Sequence, residues 1–335
     1  MCLYPKLIKN RKYTDNKKNG GNIPQVKDNR VLQVPVGCGN CIECRKQKAR
    51  GWQIRMLEEV KHRQDGKFIT LTFSDESIKE LRKKCKGLTG YDLDNQIATV
   101  GMRLFLERWR KKYKKSLRHW MVTELGHNGT ENIHMHGIVW TTENIEEIRS
   151  KWQYGYMYPR NEDEKRQNYV TAKTVNYIIK YISKKDEKHK TYKSIILTSA
   201  GIGKKYMEGY NATTNKYKGT ETNQTYRTDT GHKMSLPIYW RNKIYTEEER
   251  EKLWLDRLDK EEMYVMGSKI DVKNGYEIYD EVQKYYREKN TEWGYGSEEK
   301  TEEWYARRAY ENERRKLKIE ERMTRKRRAD GLIQQ

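Results

Sequence analysis

The chain has 335 residues, of which 35% are hydrophobic and 35% are charged, which favours one compact core with charged helical extensions over two full domains. Lysine and arginine outnumber aspartate and glutamate by 70 to 48, and the net charge of +22 favours a polyanion, most commonly nucleic acid, as the partner. No apolar run approaches the roughly 18 residues that cross a bilayer, and the first residues lack the apolar segment of a signal peptide. We therefore expect a soluble, intracellular protein with no membrane partner.

Three of the five cysteines lie in the segment CGNCIEC, as Cys38, Cys41 and Cys44. This spacing favours thiolates that converge on one soft metal ion over a disulfide framework. Tetrahedral zinc needs a fourth ligand, for which Cys2 is the candidate and a histidine the alternative. Such a zinc site would be structural, because four protein ligands leave no open position for catalysis. Three reduced thiols without a metal are the other interpretation.

The next segments predict a helix, a strand, a second helix and a hairpin. RKQKARGWQIRMLEEVKHR has apolar residues at helical spacing, and KFITLTF alternates apolar residues with threonine as a strand does. NQIATVGMRLFLERWRKKYKK predicts an amphipathic helix. HWMVTE and IHMHGIVW, joined by a polar turn, predict two adjacent antiparallel strands. The order indicates an α+β sandwich with an antiparallel sheet.

TAKTVNYIIKYISKK predicts a further helix whose apolar stripe contains Ala172, Val175, Ile179 and Ile182. Residues 190–240 are rich in threonine, tyrosine and glycine, and the chain beyond them is charged and helix-prone. The run Glu313–Arg328 predicts a solvated helix that follows DNA phosphates, with a helix that has no partner as the alternative. SAGIGKKY departs from the phosphate-binding P-loop pattern, so no nucleotide-hydrolysing activity is expected.

Two histidines in the second hairpin strand form a candidate metal site. In an extended strand His134 and His136 project from one face, and Met135 projects from the other. Two imidazoles are too few for a hard cation such as Mg²⁺ or Mn²⁺, so a carboxylate is expected nearby. Glu124 is the first candidate for this ligand and His127 the second, with a plain surface histidine as the alternative for His127. A coincidental pair of half-buried histidines is the competing interpretation of the motif.

The helix after the hairpin repeats the pattern Tyr177-x-x-Lys180-Tyr181-x-x-Lys184. Residues four apart share one helical face, so the two tyrosines lie one above the other with the lysines beside them. Ordinary surface tyrosines and lysines are the alternative. Near a divalent cation, however, a phenolate can attack a phosphodiester and hold the DNA end as a phosphotyrosine.

The segments TLTF, TELGHNGTENIHMHG and YIIKYISKK, in this order, resemble the three motifs of the HUH endonucleases that start rolling-circle replication. The MCLYP start, the CGNCIECRKQKAR block and the GIGKKY tract are similar to replication initiators of small single-stranded DNA phages, the Microviridae of the gokushovirus type. The resemblance extends over about residues 1–240 and is weak in the charged tail. It implies an RRM-like core with a four- or five-stranded antiparallel sheet flanked by helices.

The resemblance also implies that His134 and His136 are ligands of a catalytic Mg²⁺ or Mn²⁺ and that Tyr177 and Tyr181 are the nucleophiles. The residue patterns add Glu124 as the third ligand, and Lys180 and Lys184 as catalytic residues beside the tyrosines. The chain organisation that follows is an N-terminal cysteine cluster and basic helix (1–65), a nicking core (66–190), an extension of that core (191–245) and a charged helical tail (246–335).

The implied activity is nicking of the viral strand at an origin through a covalent 5′-phosphotyrosine, followed by rejoining of the displaced strand. The implied partners are single-stranded and replicative-form viral DNA and the host replication helicase and polymerase, in the host bacterial cytoplasm. Two alternatives stay open. One is an HUH transposase or relaxase with a different DNA substrate, and the other is a non-catalytic, zinc-containing nucleic-acid-binding regulator.

Overall fold

The computed structural model describes residues 2–127, 129–161, 170–183, 186–297 and 300–329. The chain divides into two compact units, one made of Met1–Arg55 with Lys204–Glu299 and the other of Met56–Gly203 with Lys300–Gln335. We call them the cysteine unit and the sheet unit. Among the described residues, no helix combines the length and the apolar character that crossing a membrane requires.

The described strands, in chain order, are β1 (Lys6–Lys9), β2 (Gln33–Val36), β3 (Gly66–Thr72), β4 (Arg118–Leu125), β5 (Ile133–Trp140), β6 (Met157–Tyr158), β7 (Ile196–Thr198), β8 (Thr225–Arg227), β9 (Lys233–Ser235), β10 (Glu262–Val265) and β11 (Ser268–Asp271). The described α-helices are Ile42–His62, Asp75–Arg82, Gly90–Tyr113, Ile145–Lys151, Ala172–Ser183, Tyr210–Thr213, Ile238–Ile244, Glu247–Asp259, Glu277–Glu292 and Glu302–Ala329. Ala172–Ser183 is called the tyrosine helix below, and Glu302–Ala329 the C-terminal helix.

The sheet unit is built on a five-stranded antiparallel sheet with the order β6-β3-β5-β4-β7. Strand β3 forms as its alternation predicts, since Ile69 and Leu71 are buried on one face and Thr70 and Thr72 project from the other. The predicted hairpin is the central pair β4 and β5. The predicted fold class, α+β with a five-stranded antiparallel sheet flanked by helices, is confirmed.

One face of this sheet carries the main hydrophobic core. Ile69, Leu71 and Met135 pack there with Phe105 and Trp109 of the amphipathic helix Gly90–Tyr113. Burial of these large apolar side chains is the main favourable term in folding and holds the strands in register. The opposite face carries threonine and histidine side chains beside further buried apolar ones.

The tyrosine helix buries a different stripe from the predicted one. Val175, Ile179 and Ile182 are buried as expected, but Ala172 is exposed and Ile178 is buried instead. The helix starts at Ala172, so the side chain of this residue lies at the helix end and beyond the apolar contact. The tyrosines of this helix are thereby left free of the apolar stripe.

In the predicted charged helical tail (246–335), the described residues form helices and also the strands β10 and β11. The expectation of a solvated helix over Glu313–Arg328 is wrong for one face of the C-terminal helix. Glu311 is only 4% exposed and Arg315 only 6%. Both side chains bind the rest of the sheet unit through hydrogen bonds, which explains how charged groups are buried at all.

The cysteine unit has small cores of its own. Leu3 and Ile42 pack with the cysteines and with Ile270 of the hairpin formed by β10 and β11. A second cluster surrounds the buried Trp240, whose ring stacks on that of Tyr206 at 4.0 Å between centroids. The strand pairs of this unit are short, two-stranded and antiparallel.

Candidate active site

The register of the hairpin brings a carboxylate to the two histidines. Glu124 on β4 lies directly opposite His134 on β5, and Val122 lies opposite His136. Because side chains alternate between faces, Glu124 and both histidines project from the same side of the sheet. An oxygen of Glu124, Oε2, lies 3.2 Å from Nε2 of His134 and 3.0 Å from Nε2 of His136.

Each histidine is oriented through its other ring nitrogen. Nδ1 of His134 lies 3.3 Å from the carbonyl oxygen of Asn132, and Nδ1 of His136 lies 2.9 Å from the hydroxyl oxygen of Thr70. A carbonyl only accepts hydrogen bonds, so Nδ1 of His134 is the donor in that contact, and Nε2 would bind a cation in place of its hydrogen bond to Glu124. Ligands of metal ions are commonly oriented by such outer partners.

Burial and hydrogen bonding set the charges of the group. Burial raises the pKa of Glu124, but hydrogen bonds from His134 and His136 outweigh it and hold the pKa below its usual range. For His136, burial lowers the pKa and a hydrogen bond to Glu124 opposes that effect only in part. An ionised carboxylate and a neutral imidazole are the forms that a cation requires.

The donor set and its spacing fit a divalent cation. The ligand atoms of Glu124, His134 and His136 all lie within 4.8 Å of one another. Neighbouring ligands of an octahedral cation with bonds of about 2.1 Å are about 3 Å apart, which agrees with both distances to Glu124. This group can hold a metal ion, and the short distances between the three side chains are the main observation in favour of it.

The two tyrosines lie beside this group. The ring of Tyr181 stacks on His136, with 4.9 Å between centroids and 9° between ring planes. Its hydroxyl donates a hydrogen bond of 2.8 Å to the hydroxyl of Tyr177, which is 45% exposed. Burial, this hydrogen bond and the charge of Glu124 raise the pKa of Tyr181.

Two further predicted residues lie at the edge of the site. Lys180 places its ammonium 3.9 Å from the ring centroid of Tyr177 and 5.4 Å from that of Tyr181. His127 contacts Glu124 at 3.5 Å and Asp186 at 3.8 Å, so it lies next to the carboxylate. Lys184 lies outside the described residues.

Thr70, Asn132 and Phe68 belong to the site although they are not among the site residues predicted from the sequence. Phe68 is parallel to the ring of His136, with 6.4 Å between centroids, and meets Tyr177 edge-on at 6.1 Å. The alternation of KFITLTF places Phe68 and Thr70 on one face of β3. Their neighbours are decided by the pairing of β3 with β5, which sets Thr70 opposite His136.

In the cysteine unit, Cys2 joins the three cysteines of the CGNCIEC segment. Sγ of Cys2 lies 3.8 Å from that of Cys41, and Sγ of Cys38 lies 4.0 Å from that of Cys44. In a tetrahedral zinc site with Zn–S bonds of about 2.3 Å, neighbouring sulfur atoms are about 3.8 Å apart, so the spacing fits. The backbone N–H of Cys38 also donates to Sγ of Cys2 at 3.2 Å, which stabilises a thiolate. The four cysteines can hold a metal ion.

The comparison with protein families finds a match that covers four of the five strands of the sheet and the tyrosine helix. Residues 66–186 match the model of a family of replication-associated proteins, described by the name ORF2. This segment contains β3 to β6 and the whole tyrosine helix, and so includes Glu124, His134 and His136 and both tyrosines of the site.

One relative comes from a phage. The chain is similar to the replication-associated protein VP4 of the Bdellovibrio phage phiMH2K, with 28% identity over 208 residues. The match covers 53% of this chain and 59% of the relative, which is less than two thirds of the relative's length. No solved structure matches the chain. The two matches confirm the resemblance to phage replication initiators that the sequence motifs indicate.

Proposed function

We propose that this chain initiates rolling-circle replication of a small single-stranded DNA phage by nicking the origin and later rejoining the displaced strand. The observation that carries the proposal is the contact between Tyr181 and His136. A potential nucleophile lies against a potential metal ligand, and a second tyrosine hydroxyl is within hydrogen-bond distance. A protein that binds DNA without catalysis would need neither the contact between Tyr181 and His136 nor the second tyrosine hydroxyl.

Glu124, His134 and His136 would hold the catalytic cation, Mg²⁺ or Mn²⁺. When bound, the cation polarises the scissile phosphate and offsets the charge that develops on its oxygens. The protein contributes the fixed positions of the three ligands, which Thr70 and Asn132 orient through the Nδ1 atoms of the histidines.

The transfer exchanges one phosphate ester for another. The phenol oxygen of a tyrosine forms a bond to the scissile phosphorus and loses its proton. The bond from phosphorus to the 3′ oxygen breaks, and that oxygen takes up a proton to become a free 3′-OH. No net bond energy is lost, so the reverse reaction can close a circle without ATP.

Two tyrosines suit this cycle because one can hold the first DNA end while the other cuts the new junction. Tyr181 is the proposed first nucleophile, since its ring contacts His136. Lys180 lies over both rings, and its ammonium is proposed to attract the phosphate. The same role is proposed for Lys184 on the basis of its spacing alone.

The DNA partners, the host partners and the cellular location are part of the same proposal. The DNA partners are the single-stranded and replicative forms of the viral genome, and the free 3′-OH serves the host polymerase and helicase in the bacterial cytoplasm. The proposed organisation keeps the nicking core at residues 66–190, with the extension at 191–245. Structural zinc is the proposed occupant of the site formed by Cys2, Cys38, Cys41 and Cys44.

The test is a covalent adduct that survives denaturation. The protein is mixed with Mn²⁺ and a pool of random single-stranded oligonucleotides labelled at the 3′ end, because the 3′ fragment is the one that stays attached. Tyr177→Phe/Tyr181→Phe should bind the pool like the wild type and form no adduct, since only two hydroxyls are removed. Peptide mapping should place the wild-type adduct on Tyr181 or Tyr177. An adduct on another residue, or one formed by the double variant, contradicts the proposal.

A further inference from the structure

One face of the C-terminal helix is bound to the rest of the sheet unit by charged groups. The residues that make these contacts recur every three or four positions, which is the spacing of one helical face. They are Arg308, Glu311, Arg315, Lys318, Arg322 and Lys326. A face that is occupied in this way is not available to DNA phosphates.

Two arginines of this face hold three consecutive residues that lead into β5. Nε of Arg315 donates to the carbonyl oxygen of Glu131 at 3.1 Å. Arg322 donates to the carbonyl oxygen of Thr130 and, at 3.3 Å, to the side-chain oxygen of Asn132. The segment therefore receives donors from both arginines before the strand begins.

This segment is connected to the metal site through the backbone of Asn132. The carbonyl oxygen of Asn132 accepts the hydrogen bond from Nδ1 of His134. Its side chain is also fixed, since the amide donates to Asp75 at 2.9 Å and Asp75 accepts from Arg322 at 2.6 Å. The guanidinium of Arg322 is thus two hydrogen bonds away from the imidazole of His134.

The same helix fixes the chain that leaves the tyrosine helix. Glu311 accepts from the backbone N–H groups of Lys190 and Thr191, both at 3.1 Å. The carboxylate of Glu131 accepts from Lys318 at 2.7 Å and lies 2.9 Å from Nε2 of His189. Burial raises the pKa of Glu131, but hydrogen bonds from Lys318, His189 and Arg314 lower it to about 2.

We infer that the C-terminal helix is a positioning element of the metal site, in which Arg315 and Arg322 fix the backbone of residues 130–132 and thereby the imidazole of His134. The metal site that the C-terminal helix positions is the site of the proposed function, so this inference rests on that proposal. Metal binding itself can be measured without DNA, and the two ideas can therefore fail separately.

The test is the affinity of the full-length protein for Mn²⁺, measured by electron paramagnetic resonance without DNA. Arg322→Lys keeps the charge but cannot reach three acceptors with one planar group. We expect about tenfold weaker binding, the lower end of the loss caused by removing outer partners of a metal ligand. Arg307→Lys is the matched control, because it makes the same change at an exposed position of the same helix. His136→Ala supplies the background.

A second variant, Asp75→Asn, removes the charge that holds Arg322 and should weaken Mn²⁺ binding in the same direction. Both variants should melt within a few degrees of the wild type in EDTA, and excess Mn²⁺ should restore adduct formation. A purely structural role would lower the melting temperature and leave the Mn²⁺ affinity of the folded protein unchanged. Wild-type affinity in either folded variant overturns the inference. Tight Mn²⁺ binding without any adduct overturns the proposed function instead.

Discussion

Thr70→Val is the sharpest test of how the metal site is oriented. The substitution keeps the branched shape of the side chain and removes the hydroxyl that lies 2.9 Å from Nδ1 of His136. The imidazole then loses its outer partner and can rotate away from Glu124. Loss of such a partner weakens metal binding about 10- to 100-fold, which corresponds to about 1.4 to 2.7 kcal/mol.

The measurement is the dissociation constant for Mn²⁺, from calorimetry or electron paramagnetic resonance, together with the melting temperature in EDTA. Thr72→Val is the matched control. Thr72 lies two residues away on the same face of β3, and its hydroxyl contacts the backbone of Tyr156 at 2.9 Å. Thr70→Val loses one hydrogen bond and Thr72→Val loses two, each worth about 1 kcal/mol. Thr72→Val should therefore lose at least as much stability, and only Thr70→Val should lose metal affinity. Equal Mn²⁺ affinities for the two variants would refute the role assigned to Thr70.

Two further predictions concern the hairpin and the cysteine cluster. Gly137→Ala should destabilise the protein by about 3 kcal/mol or more, because a Cβ at this position would lie 2.1 Å from the carbonyl oxygen of Trp120. Thermal unfolding measures this loss of stability. Gly51→Ala is the control and should be neutral or stabilising, because Gly51 lies in a helix with no atom within 4 Å of the added Cβ. Purified wild-type protein should contain about one zinc per chain by elemental analysis. Cys41→Ser should lose this zinc and melt at a lower temperature. No zinc in the wild type, together with an unchanged melting temperature for Cys41→Ser, would contradict the zinc assignment.

The local parts of the site follow from sequence patterns. Alternation along a strand is a property of neighbouring residues, so the shared face of His134 and His136 is predictable without any knowledge of the fold. The helical spacing of Tyr177 and Tyr181 is predictable for the same reason. Glu124 is a harder case, because its position opposite His134 depends on the length of the turn between the two strands.

Thr70, the outer partner of His136, could not be predicted, because its contact depends on a pairing between distant segments. Thr70 meets His136 only through the register of β3 against β5, and no motif specifies that register. The role of the C-terminal helix is even harder to predict from the sequence. Its composition is that of a solvated helix, and the acidic groups that it binds, such as Asp75, Asp94 and Glu131, are scattered along the chain.

The buried contacts of the C-terminal helix change what its deletion would measure. From charge alone, removal of this segment should reduce the number of phosphate contacts and flatten the salt dependence of DNA affinity. In the structure, the same deletion would leave Asp94 and Glu131 without their partners, Arg315 and Lys318. Removing one member of a buried ion pair is strongly destabilising, because the remaining charge is left uncompensated. A weaker affinity for DNA after such a deletion would therefore reflect damage to the sheet unit, and substitutions on the exposed face of the helix are required to measure phosphate contacts.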